Sequence, residues 1–491
     1  MRKFIMFFAF LASANSFSQE LAGTFKIKLN KNRIVVQMVD ENQKQIGLLV
    51  SDAVASSCYQ FDKNLTVTDS LKTIAPDKKY GELLGFNSKD NKYQVFWGSN
   101  KNKEIFSQFF DFKSKTTTSQ VLKFDFSKEL IIQKLTLNNK FYIISLVKNT
   151  NFLKIYNIDD DGRLEVKTID ATSSTLINSY GEVTSLYAMF EESFFPYERE
   201  FSLQYISDAT PNSLTFAAYK RKMYTSPTEI IFSFDNNFQH TQLFKINLAD
   251  FTISRKLYPQ PIDGFPPSKE TYDSSNYDPR PDINSNSFLV NQTLFQIRLC
   301  PELVQVTIKD LEGQELKSFK AKPDTAIDFK NSEIIQENGS VGKVRILESS
   351  NQFIRKLYNS NPGISCYFDN GSYFATIGSA SEVQQDGSAA IMGGMFGVAG
   401  ILIAAAITAN SSVENYNSYQ NRKIVYVNSL FDANFNHIDG KSKPLAFDRL
   451  RKYAFDNKLN SDLTIFKFNS KLFLGSYDKK QLTYSFIRFD E

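Results

Sequence analysis

The chain has 491 residues, with 57 basic and 53 acidic side chains and three cysteines. This near balance of charge gives no electrostatic basis for binding nucleic acid, and three cysteines allow at most one disulfide. The length exceeds a single-core domain of about 100 to 200 residues, so the sequence indicates several domains or one large repeat architecture.

Residues 1–18 have the pattern of a secretory signal peptide. Arg2 and Lys3 give a basic start, Phe4 to Ala12 form an apolar core, and Ser16 to Ser18 give a small-x-small cleavage site. The core is far shorter than the roughly 20 residues that a membrane-spanning helix needs. We therefore predict a mature protein, residues 19–491, that is exported to a periplasm, an outer envelope or the medium.

Short apolar strands separated by polar turns fill the mature chain, and three segments repeat one two-strand unit. In each of them Lys stands 19 residues before Asp. The segments are NKYQVFWGSNKNKEIFSQFFD (91–111), NKFYIISLVKNTNFLKIYNID (139–159) and SKLFLGSYDKKQLTYSFIRFD (470–490). A shorter copy is TLFQIRLCPELVQVTIKD (293–310). Alternation of this kind predicts strands, and helical periodicity is almost absent.

Both histidines lie in a second repeat, FDNNFQH (234–240) and FDANFNH (431–437). Each copy follows an apolar strand, so we expect His240 and His437 to form inter-strand hydrogen bonds rather than to act in catalysis. The sequence has no GxSxG, HExxH, CxxC, Walker or dinucleotide-binding glycine motif. We therefore predict no cofactor, no metal and no histidine-based active site.

Strand-rich units of about 45 to 50 residues resemble blades of the β-propeller superfamily, in the size range of kelch and WD40 blades. The resemblance implies an all-β fold, a single propeller of about seven four-stranded blades over residues 19–491, with six or eight blades as alternatives. No GH…WD pair, kelch double glycine or Asp-box indicates a member family. A pair of β-sandwiches and a β-solenoid are the alternative architectures.

NIDDDGRLEV (157–166) resembles the first half of a calcium loop, with Asn157, Asp159 and Asp161 at alternate positions before Gly162. The carboxylate expected at the twelfth position is replaced by Thr168. Because strands flank the segment, an Asp-Gly hairpin turn explains it without a metal. We predict the turn, and calcium binding is the alternative.

A long polar loop, residues 259–287, is rich in Pro, Asp and Ser and lies between two strand units. Long loops on a rigid scaffold are common recognition sites, and Tyr and Arg are common interface residues. We predict a recognition role for Tyr272, Tyr277 and Arg280. A surface loop without a role is the alternative.

The segment SAAIMGGMFGVAGILIAAAITANSS (388–412) is apolar, and no charge occurs from Gly387 to Val413. We predict a helical or hairpin insertion, residues 383–420, between two paired strands of one blade, GSYFATIGSA (371–380) and RKIVYVNSLFD (422–432). A single membrane crossing would place these strands on opposite sides of the membrane. A single-pass helix is therefore possible only if the two strands do not pair. The predicted contact residues are Ile391, Met392, Gly393, Met395, Phe396, Gly397, Gly400, Ile401, Leu402 and Ile403.

Three roles for the insertion follow: a shallow membrane contact, a helical finger that packs on a protein partner or a second copy, or a flap on the propeller itself. A flexible Gly/Ala loop is a fourth interpretation. We predict an exported, non-catalytic binding or scaffold protein of the cell envelope whose partner is a membrane surface or an envelope protein. The alternative is an envelope hydrolase acting on polysaccharide or peptide, with Glu191, Glu192 and Glu198 as the first candidate carboxylates.

Overall fold

The computed structural model describes residues 19–30, 33–40, 44–99, 103–159, 161–194, 197–266, 283–339, 344–381, 410–459 and 462–490. In these residues the strands form seven sheets of four or five strands and one two-stranded ribbon. We number the seven large sheets in chain order.

Sheets 1 to 3 each contain four consecutive antiparallel strands. Sheet 1 has β2 (Ile34–Asp40), β3 (Gln45–Ser51), β4 (Ala55–Phe61) and β5 (Val67–Ile74). Sheet 2 has β6 (Glu82–Lys89), β7 (Lys92–Gly98), β8 (Glu104–Asp111) and β9 (Thr116–Lys123). Sheet 3 has β10 (Glu129–Leu137), β11 (Lys140–Val147), β12 (Phe152–Ile158) and β13 (Leu164–Asp170).

Sheet 4 has an additional inner strand, β16, which pairs in parallel with β17. Its strands are β16 (Gln204–Ile206), β17 (Arg221–Thr225), β18 (Glu229–Phe234), β19 (His240–Asn247) and β20 (Ile253–Pro259). The ribbon before it has β14 (Leu176–Ile177) and β15 (Val183–Thr184). Sheet 5 has β21 (Asn284–Val290), β22 (Thr293–Cys300), β23 (Leu303–Asp310) and β24 (Glu315–Ala321).

Sheets 6 and 7 are assembled from strands that are not all consecutive. Sheet 6 has the order β26, β25, β29, β28, β27, and sheet 7 has the order β1, β32, β31, β30. The strands of sheet 6 are β25 (Ile334–Asn338), β26 (Val344–Leu347), β27 (Asn361–Asp369), β28 (Ser372–Ala380) and β29 (Lys423–Asp432). Those of sheet 7 are β1 (Glu20–Lys26), β30 (Thr464–Phe468), β31 (Lys471–Asp478) and β32 (Thr483–Phe489).

Five helices connect or cover the sheets in the described residues. They are α1 (Leu186–Glu191), α2 (Leu214–Ala217), α3 (Ser350–Tyr358), α4 (Ser411–Ser418) and α5 (Ala446–Asp456). A side-chain oxygen caps each of the first four by accepting a backbone N–H of the first turn, from Ser185, Ser213, Ser349 and Asn410. Such caps replace hydrogen bonds that a helix end cannot make within itself.

The sheets pack face to face around a closed ring. The first strand of sheet 1, β2, lies beside β30 of sheet 7 and β6 of sheet 2, and β21 lies beside β27. Aromatic rings fill the gaps between sheets, as in Phe61 on Phe486 at 5.4 Å and Phe96 on Phe141 at 4.7 Å between ring centroids. The first strand β2 is almost wholly buried, whereas the outer strand β5 alternates between half-buried and exposed residues.

The ring is closed by the two ends of the chain, because β1 pairs with β32 from Glu20↔Arg488 to Lys26↔Thr483. Radial four-stranded sheets closed in this way make the chain a β-propeller, as the sequence predicts. Paired sandwiches and a solenoid do not fit this ring. The number of about seven blades stays a prediction.

The repeat segments are the second and third strands of sheets 2, 3 and 7. The constant spacing reflects an ion pair across the open end of the hairpin, because Lys92 lies 3.5 Å from Asp111 and Lys471 lies 2.8 Å from Asp490. In the 139–159 copy, Asp159 accepts hydrogen bonds from the backbone of its own turn instead. The 19-residue spacing from Lys to Asp therefore identifies the same hairpin in all three copies, although the side-chain contacts differ.

The NIDDDGRLEV segment forms the predicted hairpin turn between β12 and β13. The Asp159 carboxylate accepts from the backbone N–H of Asp161 at 3.0 Å and of Arg163 at 2.7 Å. Gly162 has φ +80°, which a residue with a Cβ rarely adopts, so glycine is needed at this turn. Calcium binding by Asn157, Asp159 and Asp161 stays untested.

Candidate functional site

The strands on either side of the apolar insertion pair with each other, as the sequence predicts. β28 and β29 run antiparallel from Ser372↔Asp432 to Ala380↔Ile424 without a register shift. The connection between them, residues 381–422, therefore leaves and returns at one edge of sheet 6. A single-pass helix that divides the chain between two sides of a membrane is excluded by this pairing.

The C-terminal end of the insertion is fixed inside the propeller. Asn410 is 5% exposed, and its amide donates to Gln37 Oε1 of β2 at 2.6 Å. In α4, Asn415 accepts from Ser213 N at 3.1 Å and donates to Thr210 Oγ1 at 2.9 Å. Residues 410–418 thus belong to the body of the propeller. The predicted range of 383–420 lies between the end of β28 and the start of β29, and its last part is α4.

The N-terminal end of the insertion is also fixed. Ser381 N donates to Lys423 O at 2.8 Å, which extends the β28–β29 ladder by one bond. The Ser381 and Ser360 hydroxyls lie 3.3 Å apart, and Ala380 is 5% exposed. Both ends of residues 382–409 are therefore held by described, buried structure.

The insertion and the long polar loop leave the propeller at one face. Ala218, before β17, accepts hydrogen bonds from Asn286 of β21 and Asn361 of β27, so β17, β21 and β27 begin at the same side of the propeller. We call this side the start face. β28 ends opposite Asn361, and β20 ends at Pro259 opposite the first residue of β19. The connections after β20 and after β28 thus both leave from the start face.

The predicted contact residues of these two segments lie outside the described residues. They are Ile391, Met392, Gly393, Met395, Phe396, Gly397, Gly400, Ile401, Leu402 and Ile403 of the insertion, and Tyr272, Tyr277 and Arg280 of the loop. Their proposed roles stay predictions. What the structure adds is the position of the residues at which each segment leaves and rejoins the propeller.

A cleft of about 370 Å³ lies where the same first strands end, on the opposite side from the start face. Four aromatic side chains line it, Tyr224, Phe288, Tyr367 and Phe368, together with Ser207, Asn212, Asn291 and Gln292. Its charged lining residues in the described part of the chain are Asp208 and Lys467. No local pattern in the sequence marks this cleft, because its walls come from β16, β17, β18, β21, β27 and β30.

Two of the three carboxylates suggested for hydrolysis have structural partners. Glu198 is 1% exposed, and its carboxylate accepts from Arg221 Nε at 2.7 Å and from the backbone N–H of Lys220. Glu192 accepts from the side chain of Asn236 and from Ser179 N at 3.0 Å. The cleft has one carboxylate, Asp208, among its described lining residues. This arrangement is not the facing carboxyl pair that glycoside hydrolysis uses.

A buried polar network joins sheets 4 and 5 near the start face. Lys222 Nζ donates to Asp235 at 3.0 Å and to Asn286 Oδ1 at 2.7 Å, and Ser287 Oγ donates to Asp235 at 2.8 Å. Burial lowers the pKa of the neighbouring Lys220 to about 8. These bonds fix the alignment of the two sheets, since a slip would leave buried charges unpaired.

The two histidine motifs have different surroundings. FDNNFQH connects β18 to β19, and His240 is the first residue of β19. FDANFNH follows β29, and His437 lies 3.0 Å from Asn331 Oδ1 through Nε2. Asn331 also accepts from Leu430 N of β29, so His437 is linked to this strand through a residue that lies outside the strands. The inter-strand hydrogen bonds expected for His240 and His437 stay predictions.

No known family model matches the chain, and no curated protein sequence matches it. One similar solved structure is the β-propeller domain of Cps50 (Swd1) from Myceliophteria thermophila, with 6% identity, TM-score 0.28 and coverage of 96% of this chain and 99% of that chain. A quinoprotein alcohol dehydrogenase-like protein from Bacteroides thetaiotaomicron has 10% identity, TM-score 0.19 and coverage of 60% and 67%.

An ACO/RPE65 chimera has 7% identity and TM-score 0.27, with coverage of 58% of this chain and 59% of that chain. The chain thus spans about three fifths of the chimera's length. At these identities and TM-scores the likenesses carry no argument about function, and the fold assignment rests on the sheets. Among the helices of the described residues, none is long and apolar enough to cross a membrane.

Proposed function

We propose that this protein is an exported, non-catalytic β-propeller that serves as a binding or scaffold component of the cell envelope. Its apolar insertion, residues 382–409, contacts a membrane surface or an envelope protein. The observation that carries the proposal is the continuous pairing of β28 with β29, which makes the chain between them, residues 381–422 with the charge-free run 387–413, leave and rejoin sheet 6 at the start face.

The composition of the insertion supports contact with another apolar surface. Its aliphatic, Met and Phe side chains add up to several hundred Å² of apolar area, which soluble monomers rarely expose. Gly393 and Gly397 stand four residues apart, a spacing that lets helix backbones approach closely. A second copy of the chain is therefore one of the protein partners that the proposal includes.

Export is supported by the position of the first strand. The predicted cleavage after Ser18 leaves Glu20, the first residue of β1, on the mature chain. The strand that closes the ring is then complete after processing. The described cysteines, Cys58, Cys300 and Cys366, are all unpaired and buried, so folding in an oxidising compartment requires no disulfide.

The proposal is tested with a variant in which residues 386–408 are replaced by a Gly/Ser/Asn linker of equal length. This design keeps Ser381 and Asn410, whose bonds belong to the propeller. We expect the mature wild type to sediment with phosphatidylethanolamine/phosphatidylglycerol vesicles or to form a discrete oligomer or envelope complex. We expect the variant to be a folded monomer in the supernatant with an unchanged melting temperature.

A matched control replaces residues 268–281 of the polar loop by a linker of equal length and composition, and it should behave as the wild type does. Sedimentation with vesicles identifies a membrane contact, and a discrete mass without vesicles identifies a protein contact. If wild type and variant are both unbound monomers, the insertion covers the propeller itself and the proposed function is wrong.

A further inference from the structure

Arg298 is a buried cation that has no counter-ion among the described residues. It lies in β22 and is 3% exposed, and neither Nε nor Nη1 has a hydrogen-bond partner. Gln296, two residues earlier on the same side of the strand, donates to Tyr258 O at 3.1 Å, so this side of sheet 5 faces sheet 4. Arg298 is therefore held between two sheets of the propeller.

The neighbours of Arg298 also have unused hydrogen-bonding atoms. Ser285 and Gln305 are its partners in register on β21 and β23, so the three side chains lie on one side of sheet 5. Ser285 Oγ and Gln305 Oε1 are buried and unpartnered. The Phe265 ring lies over the guanidinium, with its centroid 5.0 Å from Cζ. We call these four residues the Arg298 pocket.

The other cations near this pocket donate to neutral oxygens. Lys309 is 7% exposed and donates to Pro259 O at 2.5 Å, and Lys220 donates to Asn284 Oδ1 at 2.9 Å. The pKa of His240 is lowered by burial and then by the positive charges of Arg255, Arg298 and Lys309. The region is therefore positive and partly dehydrated.

A guanidinium group does not lose its proton in a protein, so Arg298 cannot avoid its charge by titrating. An unpaired charge in the interior is costly unless an opposite charge is supplied. One uncompensated guanidinium matches a monovalent anion, and its planar N–H groups match the two oxygens of a carboxylate. Ser285 adds a donor, and Gln305 adds an acceptor for a hydroxyl or water beside that carboxylate.

We propose that the Arg298 pocket binds the carboxylate group of a small ligand at the start face, between sheets 4 and 5. The site goes beyond the proposed function and does not depend on the apolar insertion. It lies beside Phe265, near the point where the polar loop leaves sheet 4. A binding protein of the envelope would thus have a ligand site separate from its apolar contact.

The test measures the melting temperature of the full mature chain during titration with sodium acetate at constant ionic strength. We expect a saturable rise of about 2 °C or more for the wild type, because a ligand that binds the native state stabilises it by mass action. Arg298→Gln should abolish the rise. Arg163→Gln, which alters an arginine whose side chain is 79% exposed, should retain it. Inorganic phosphate at the same ionic strength should stabilise the wild type less than acetate does.

Any of four results would overturn the proposal. The first is a wild type that does not respond to acetate, and the second is an equal response in Arg298→Gln. The third is an acetate response that appears only after four acidic residues of the polar loop are changed to amides, namely Glu270, Asp273, Asp278 and Asp282. In that case the unaltered loop of the wild type supplies the carboxylate itself. If Arg298→Gln does not fold, Arg298→Lys replaces it and should weaken the acetate response at least fivefold by losing the planar fork. An unchanged response in Arg298→Lys would also overturn the proposal.

Discussion

Three consecutive cations at the beginning of β17 are buried in the propeller, and each has a different type of partner. Lys220 donates to neutral oxygens of β21, Arg221 pairs with Glu198, and Lys222 pairs with Asp235. Their exposures are 4%, 0% and 0%. Because such charges are costly when a partner is removed, this short segment fixes how sheet 4 meets its neighbours.

Lys220 makes stability depend on pH in a defined window. Burial lowers its folded pKa to about 8 from an unfolded value of 10.5, so the unfolded chain binds more protons between these pH values. The free energy of unfolding of the wild type should therefore rise with pH in this window relative to Lys220→Met, by about 3 kcal/mol in total. Below pH 8 the difference between the two proteins should be constant.

Urea denaturation of both proteins at half-unit pH steps from 7 to 11 measures this difference. Comparing wild type with Lys220→Met cancels the titration of the other lysines and tyrosines. A constant difference from pH 8 to 10.5 would show that Lys220 keeps its ordinary pKa in the folded protein.

At the scale of an element, the hairpin β28–β29 determines where the insertion leaves the propeller. Gly378 lies within β28, opposite Tyr426. A Cβ at this position would lie 2.0 Å from Val425 O and 2.8 Å from Tyr426 Cα, both backbone atoms of β29. Glycine is therefore needed for the close approach of the two strands.

Gly378→Ala should lower the free energy of unfolding by about 1 to 3 kcal/mol, because the strands must separate to admit the methyl group. Gly81→Ala is the matched control, since a Cβ there would meet its nearest atom, Lys78 O, at 3.8 Å. We expect the control to change stability by less than about 0.5 kcal/mol. Chemical denaturation measures both variants, and equal stabilities would contradict the close pairing of β28 with β29.

Elements of this protein differ in how far the sequence predicts them. The hairpins β7–β8, β11–β12 and β31–β32 are predictable because their strands, turns and Lys-to-Asp spacing are local. The strand order of sheet 6 is not predictable in this way. β25 precedes β27 in the chain, but it pairs with β29 on the side away from β28. The buried contacts at the end of the insertion are not predictable for another reason. Asn410 and Asn415 follow an apolar run, and their buried partners Gln37 and Thr210 are distant in sequence.

The candidate sites are less predictable from the sequence than the fold is. The uncharged segment is visible in the sequence, and its pairing strands were recognised from their alternation. The cleft has no local signal, because its walls come from strands of several sheets. The Arg298 pocket joins three strands of sheet 5 to Phe265 of the chain after sheet 4, and only its arginine is marked in the sequence. A single arginine in an apolar strand, such as Arg298 in TLFQIRLC, is a local signal that can be searched for in other chains.

At the scale of the whole molecule, closure depends on the strand that directly follows the predicted cleavage site. β1 supplies the edge partner of β32, and Phe25 packs on Phe61 at 5.2 Å and Tyr484 at 6.0 Å between ring centroids. The Glu20 and Arg488 side chains form an ion pair at 2.6 Å. The two ends of the chain thus stabilise one sheet together.

A mature chain that begins at Lys28 should be less stable by more than about 2 kcal/mol, because it loses the Phe25 contacts and an entire strand ladder. It should also associate, since β32 becomes an open sheet edge. Thermal denaturation and light scattering measure the two effects, and a synthetic peptide of residues 19–28 should reverse them. A truncated chain that remains a monomer with wild-type stability would show that β1 does not close the ring.

The central claim is that the apolar insertion contacts a membrane or another protein from the start face. Its most direct test is photo-crosslinking in the native envelope, with a photoreactive side chain at Phe396 and, as a control, at Gln292 beside the cleft on the opposite side. We expect crosslinks to lipid or to a second polypeptide from position 396 and none of these from position 292. Crosslinks from position 396 to this chain's own propeller alone would contradict it.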